Sequence, residues 1–268
     1  MRDMSAVATG PARPATSPAG RMAALARAEL TLLGRSKGAL FAALFVPVTM
    51  PFSMRAAARE MDLAEAGLNI GTVVLPAAIG VALLFAVYSP LVGALVTRRE
   101  ELVLKRLRTG ELRDGEILTG AALPAVTLGF VQSVLLTVGC MALVDVGAPS
   151  APHLAVLGVL LGLVMCAALA ALTANWTRTA ESAQVTPMPL LMISLFASGV
   201  TVPLEVLPDR LASVCELLPL SPVITLVRGA WTDSLSAAET LRAVATAVAW
   251  TALAVFAVQR WFRWEPRR

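Results

Sequence analysis

Long apolar stretches recur along the chain, separated by short segments that hold most of the charge. Six of them, at 38–54, 70–97, 117–144, 154–174, 185–204 and 241–259, read as membrane spans, since about 20 apolar residues cross ~30 Å of hydrocarbon. The runs 70–97 and 117–144 contain no Asp, Glu, Lys or Arg. A charge at the centre of a spanning helix costs about 2.5–3.5 kcal/mol, so clean runs of this kind are strong signals. The 38–54 stretch is short and contains Pro47 and Pro51, which interrupt helical hydrogen bonding and open the way to a re-entrant element. The pattern predicts an all-α membrane protein with six transmembrane helices.

Polar segments between the spans add three smaller elements. Residues 1–20 are rich in Ala, Pro, Ser and Thr and hold no long apolar run, so a disordered tail is expected ahead of a membrane domain over 21–268. Over 21–37, Arg21, Arg27, Arg35 and Lys37 alternate with Leu25, Leu30, Leu32 and Leu33. That pattern suits an N-terminal helix lying along the membrane surface, or a plain juxtamembrane linker. After the second span, Glu101 and Lys105 stand four apart, in the favoured order for a helical ion pair. Val103, Leu104 and Leu107 add a short apolar stripe, and Gly110 can end such a helix. This is a short amphipathic helix, either tucked under its own bundle or presented to a soluble partner. The preceding 28-residue span extends ~42 Å at 1.5 Å per residue, which favours tilt or a loop carried beyond the bilayer.

Before the last span the pattern breaks. Pro203, Glu205, Pro208, Asp209, Glu216, Pro219 and Pro222 interrupt a stretch apolar enough to enter the membrane, and Arg228 and Trp231 follow. Two short helices dipping into the outer half of the bilayer fit this better than a continuous span, because broken backbone is tolerated where protein or water covers it. Pro208 and Pro222 are each placed to start one. An extracellular loop lying on the headgroups is the alternative.

Composition sharpens the class. Of the 268 residues 57% are hydrophobic and only 15% charged, with a mean hydropathy of +0.75. Soluble domains carry about 25% charged residues, so an ordinary soluble enzyme is excluded. The net charge of +4 points to membrane topology and not to nucleic acid, because the basic residues lie between apolar runs. With the N-terminus inside, 17 of the 22 Lys and Arg residues fall on the cytoplasmic side, which satisfies the positive-inside rule and places both termini in the cytoplasm. Trp261 and Trp264 among the last arginines read as an interfacial anchor. Cys140, Cys166 and Cys215 form no close pair, and His153 is the only histidine, so no metal site or disulfide framework is indicated.

Catalytic signatures are missing as well. The chain has no GxxxxGK[ST] loop and no HExxH. Its spans lack the buried Asp, Glu, Lys or Arg of proton relays and ion-coupled carriers. Gln132 in the third span reads as a polar interhelical contact. Energy for any transport must then come from elsewhere.

Two local patterns carry a family resemblance. Arg99-Glu-Glu-Leu-Val-Leu-Lys-Arg-Leu-Arg-Thr109 is similar to the R-E-x-G-T-L-x-x-L-R-x-[ST]-P stretch of type-2 ABC exporter permeases, after their second span. Ser198-Gly199, Pro203, Leu207-Pro208, Leu218-Pro219, Ser221-Pro222 and Arg228 parallel the segment before the last span of that family. From about residue 21 onward the chain resembles these permeases, particularly the bacterial drug- and antibiotic-resistance group. It departs from the pattern where Gly110 and Glu111 replace the usual proline, and where Val103 replaces a small residue.

The resemblance implies a division of labour. Residues 21–37 would be the elbow helix. Arg99, Glu100, Glu101, Leu104, Lys105, Arg106, Leu107 and Arg108 would form a cytoplasmic coupling helix docked into a separate ABC ATPase subunit. That partner would bind ATP and Mg, with no cofactor on this chain. The second and fifth spans would line a path between two permease chains, in a homodimer or a pair of similar permeases. Candidate lining residues are Phe85, Tyr88, Met188, Met192, Ser194, Phe196 and Ser198. Pro203, Glu205, Pro208, Pro219, Pro222 and Arg228 would belong to an outer lid. The expected function is export of an amphipathic or hydrophobic compound across the cell membrane. A non-transporting assembly or sensory subunit and an ion-coupled carrier are the competing readings.

Overall fold

A computed structural model describes residues 69–110, 112–143, 146–204, 207–232 and 235–265, with isolated positions between 20 and 49. The tail, the first span at 38–54 and the stretch 21–37 otherwise lie outside the described residues. Within that stretch Ala23, Ala24, Arg27, Ala28, Thr31 and Gly34 are each helical and exposed, and Thr31 Oγ1 donates to Arg27 O at 2.7 Å. Among the described residues all regular structure is helical.

The second predicted span is the axis of the molecule. It runs unbroken from Ile70 to Glu100 as α1 (Ile70–Ala82), a π-helical stretch (Leu83–Tyr88) and α2 (Ser89–Glu100). Asn69 starts it with a reciprocal cap: its Oδ1 accepts from Thr72 N at 2.9 Å, and Thr72 Oγ1 accepts from Asn69 N at 3.0 Å. Pro90 brings no amide hydrogen to the carbonyl four residues back, and the helix widens over the turn before it. At 31 residues this helix is ~46 Å long, more than the ~30 Å of hydrocarbon, which fits either tilt or a charged end carried beyond it.

A short helix, α3 (Val103–Arg108), follows a tight turn. Next come α4 (Asp114–Leu143) and α5 (Pro152–Trp176), which match the third and fourth predicted spans. The last span is α9 (Ala237–Trp261), opened by a Ser236/Glu239 capping box. α5 is the hub, with α2, the π stretch, α4, the helix Ser221–Thr232 and α9 all packed on it. The axial helix is almost wholly buried, while α9 exposes most of its surface.

The fifth predicted span, 185–204, folds differently from a full crossing. A 3₁₀ turn at Ser182–Gln184 leads into α6 (Met188–Ala197), which is only ten residues long. It stops because Gly199 adopts φ +76, a left-handed conformation that favours glycine. Thr201 then folds back onto Leu195 O through its amide at 3.2 Å and its hydroxyl at 2.7 Å.

Two more short helices complete the broken element, α7 (Asp209–Cys215) and α8 (Ser221–Thr232). Pro208 caps α7, and Pro222 is the second residue of α8, as their positions predict. α8 runs antiparallel to the first half of α5. Val223 packs beside Gly162, Val227 beside Gly158, and Ala230 O accepts from Ala151 N at 3.1 Å. A Cβ on Gly162 would lie 2.6 Å from Leu83 Cδ1 and 3.0 Å from Val223 Cγ1, so its bare backbone sets how closely the axial helix, α5 and α8 meet. α8 therefore packs along the half of α5 that begins at Pro152.

Candidate functional site

The axial helix ends in a hairpin with α3. The turn is Glu101-Leu102, and Leu102 adopts φ 58, ψ 16, a strained left-handed conformation for a branched side chain. Arg106 N donates to Leu102 O at 3.0 Å, closing the first turn of α3. At the other end Gly110 N returns to Leu107 O at 3.2 Å, and the helix stops where the glycine predicts.

The side chains of this hairpin divide by face. Leu104 is fully buried and Val103 and Leu107 are half-buried, which realises the expected apolar stripe. Arg99 is also buried, although its position in the motif made it a candidate contact for a partner. Its Nη1 donates to Ala174 O at 2.9 Å and its Nη2 to Thr177 O. These carbonyls lie at the C-terminal end of α5, where a cation also meets the negative end of the helix dipole. Arg99 and Leu104 thus anchor the hairpin from inside instead of forming its surface. Glu100 is exposed and its Oε2 accepts from Ala180 N at 3.0 Å, tying the hairpin to the chain that leads into α6.

Lys105 does not pair with Glu101 as the four-residue spacing predicts. The turn at Leu102 takes Glu101 off the α3 helix, and Lys105 Nζ bonds instead to Glu265 Oε1 at 2.7 Å. Arg108 Nε meets Asp114 Oδ1 at 3.1 Å, and the Arg108 guanidinium lies 5.0 Å from the centre of the Trp264 ring. Arg106 faces outward, together with Glu101, Leu102 and Thr109. The exposed tip is therefore small, mixed in charge and built around one apolar residue.

Two participants had no visible signal in the sequence: Thr177 and Glu265. Trp264 was expected at the membrane interface with Trp261. It packs on protein, edge-on to Phe262 at 5.1 Å and under Arg108, whereas Trp261 is exposed.

The path candidates separate into two groups. Tyr88 is buried, its hydroxyl 3.0 Å from Thr173 Oγ1, and Ser194 and Ser198 are buried as well. Phe85 is half-buried on the π stretch. Met188, Met192 and Phe196 recur every fourth residue and form one exposed face of α6. Within one chain, then, only this face and part of Phe85 are open. Gln132 in α4 is fully buried.

Of the lid candidates, Pro203, Pro219, Pro222 and Arg228 are buried and Pro208 is exposed. Arg228 Nη2 donates to Gly199 O at 3.1 Å, which ties α8 to the break after α6. Glu205 lies outside the described residues. A cleft of about 350 Å³ opens between α7, α8 and α9, with Glu216 and Arg242 3.9 Å apart at its wall. Among the described residues no three His, Cys, Asp or Glu side chains cluster as metal ligands.

No curated protein matches the chain. A family model does: that of the ABC-2 type transporter, over residues 21–231. The match begins at Arg21 and ends at the last turn of α8, leaving α9 beyond it. It covers both the hairpin and the segment from Ser198 to Arg228, the two patterns that carried the resemblance. The chain is a multi-pass membrane component of an ABC transporter, from a permease family that has no nucleotide-binding site of its own, and it belongs to the ABC-2 type transporter family.

Proposed function

We propose that this chain is the permease of an ATP-driven exporter, with its α2–α3 hairpin docked into a separate ABC ATPase subunit on the cytoplasmic side. One observation carries the reading. The hairpin presents Glu101, Leu102 and Arg106 outward while Arg99 ties it to the end of α5 and Leu104 is buried beneath it. A push on the exposed tip then acts on the ends of the axial helix and α5, not on a loose loop. Closure of the ATPase on ATP would bias two arrangements of the bundle, as a coupled two-state element requires.

The cargo in this reading is amphipathic or hydrophobic and of the drug or antibiotic kind. It passes between two permease chains along the Met188, Met192 and Phe196 face, where thioether side chains adapt to varied shapes. The broken element at 205–231 closes the outer end. Both termini are cytoplasmic, in the cell membrane.

The decisive experiment uses the chain co-expressed with a P-loop ABC ATPase and reconstituted in lipid, with a cationic amphipathic dye as the transport probe. Wild type should retain the ATPase on purification and move the dye in an ATP-dependent way. The Leu102→Asp, Arg106→Glu double variant should insert normally, lose the ATPase and export nothing. Normal retention and export by that variant would sink the docking assignment.

A further inference from the structure

α3 is too short to hold its own orientation. Six residues make less than two turns, well below the length at which a helix is stable alone. Its first turn starts from a left-handed leucine, with no side chain capping it. Something else must decide how it is presented, and the residues just after α9 are in place to do so.

α9 ends at Trp261, and Phe262 leaves it in an extended conformation. The next three residues each make a contact, one on the end of α5 and two on α3. Arg263 N donates to Asn175 Oδ1 at 2.9 Å, on the last turn of α5. The Trp264 ring lies under the Arg108 guanidinium, braced edge-on by Phe262. Glu265 Oε1 bonds to Lys105 Nζ at 2.7 Å. Lys105 and Arg108 are three apart and so share one face of α3. Leu104 points inward and Arg106 outward. The helix is thereby held on two sides, with only its outward face open.

We propose that Phe262–Glu265 is a strap that positions α3, with Trp264 and Glu265 as positioning residues that fix the pose in which Arg106 is presented. The strap also joins α3 to α5 and α9, so the tip, the end of α5 and the end of α9 move as one block. Its role in coupling rests on the docking reading above; the pose of α3 itself does not.

The test is hydrogen exchange of residues 102–110 in the full chain, held in lipid nanodiscs without any partner. Trp264→Ala, Glu265→Lys and Lys105→Glu should each speed exchange there by about two- to fivefold, the scale of losing one exposed cation–π or ion-pair contact. The exchanged pair, Lys105→Glu with Glu265→Lys, should return close to wild type, and so should Trp264→Phe. Unchanged exchange in the single variants, or a swap no better than either single, would overturn the strap. A second readout is retention of a co-expressed ABC ATPase, which Glu265→Lys should weaken and the swap restore. Retention indifferent to Glu265→Lys would overturn the positioning role. Docking fails separately, if Leu102→Asp, Arg106→Glu leaves retention intact while the exchange results hold.

Discussion

Arg99 shows how a charge is accommodated at the edge of a membrane helix. It follows a run from Ile70 to Thr97 with no charged side chain, and it is almost fully buried. Burying a guanidinium is costly unless its hydrogens are satisfied. Ala174 O and Thr177 O answer two of them, at the helix end where carbonyls lack intrahelical partners. Replacing Arg99 with Met removes the charge and leaves both carbonyls to find other donors. At about 1–3 kcal/mol for a buried group left unsatisfied, Arg99→Met should cost about 2–4 kcal/mol, read as a lower midpoint of thermal unfolding in detergent. Arg99→Lys should recover only part of that, because one ammonium cannot reproduce the planar fork that reaches two acceptors at once. Full stability in Arg99→Met would show that the clasp contributes nothing. Tyr88 is a milder case: Tyr88→Phe removes one hydroxyl contact to Thr173 and should cost about 1 kcal/mol in the same assay.

Individual elements were legible in the sequence to the extent that a single physical rule governs them. Ile70–Glu100, α4, α5 and α9 follow from long uncharged runs, and α7 and α8 start at the prolines that predict them. α6 was harder to read. Its composition is as apolar as a true span, and what ends it is the left-handed backbone of Gly199 with Thr201 folded back on Leu195. Hydropathy does not see backbone conformation. The hairpin was legible as a short amphipathic helix, yet the contacts that Arg99 and Lys105 make within the chain were not. Their true partners, at Ala174, Thr177 and Glu265, lie 75 or more residues away, and local spacing carries no information about them. The half-span geometry itself is testable. Gly199→Val forces a branched side chain into φ +76, at about 1–2 kcal/mol. Gly162→Val overpacks the seam with Leu83 and Val223, at about 1–3 kcal/mol. Both should lower the unfolding midpoint, whereas Gly93→Ala, with open space around its Cβ, should be neutral or slightly stabilising.

At the scale of the whole molecule, three of the long helices turn apolar faces outward, besides the exposed face of α6. Phe130, Val134 and Val138 form such a face on α4, Val156, Leu160 and Val164 on α5, and Leu241, Val248 and Phe256 lie exposed along α9. Water would not tolerate that much contiguous apolar surface, and a bilayer does. The two ends of the bundle differ chemically. One holds α3 with Lys105, Arg106 and Arg108, and the other holds the 146–150 loop, where Trp231 Nε1 bonds Gly147 O at 2.8 Å. By the positive-inside rule the α3 end is the one expected on the cytoplasmic side. Ala148→Cys and Thr109→Cys place a thiol at exposed positions on opposite ends, in a background where Cys140, Cys166 and Cys215 are replaced by serine or alanine. A membrane-impermeant maleimide added to intact cells should label Ala148→Cys and leave Thr109→Cys untouched until the membrane is permeabilised. The reverse pattern would invert the topology and remove any route from a cytoplasmic ATPase to α3. Labelling of both from outside would mean that the bundle does not separate these ends across the bilayer at all.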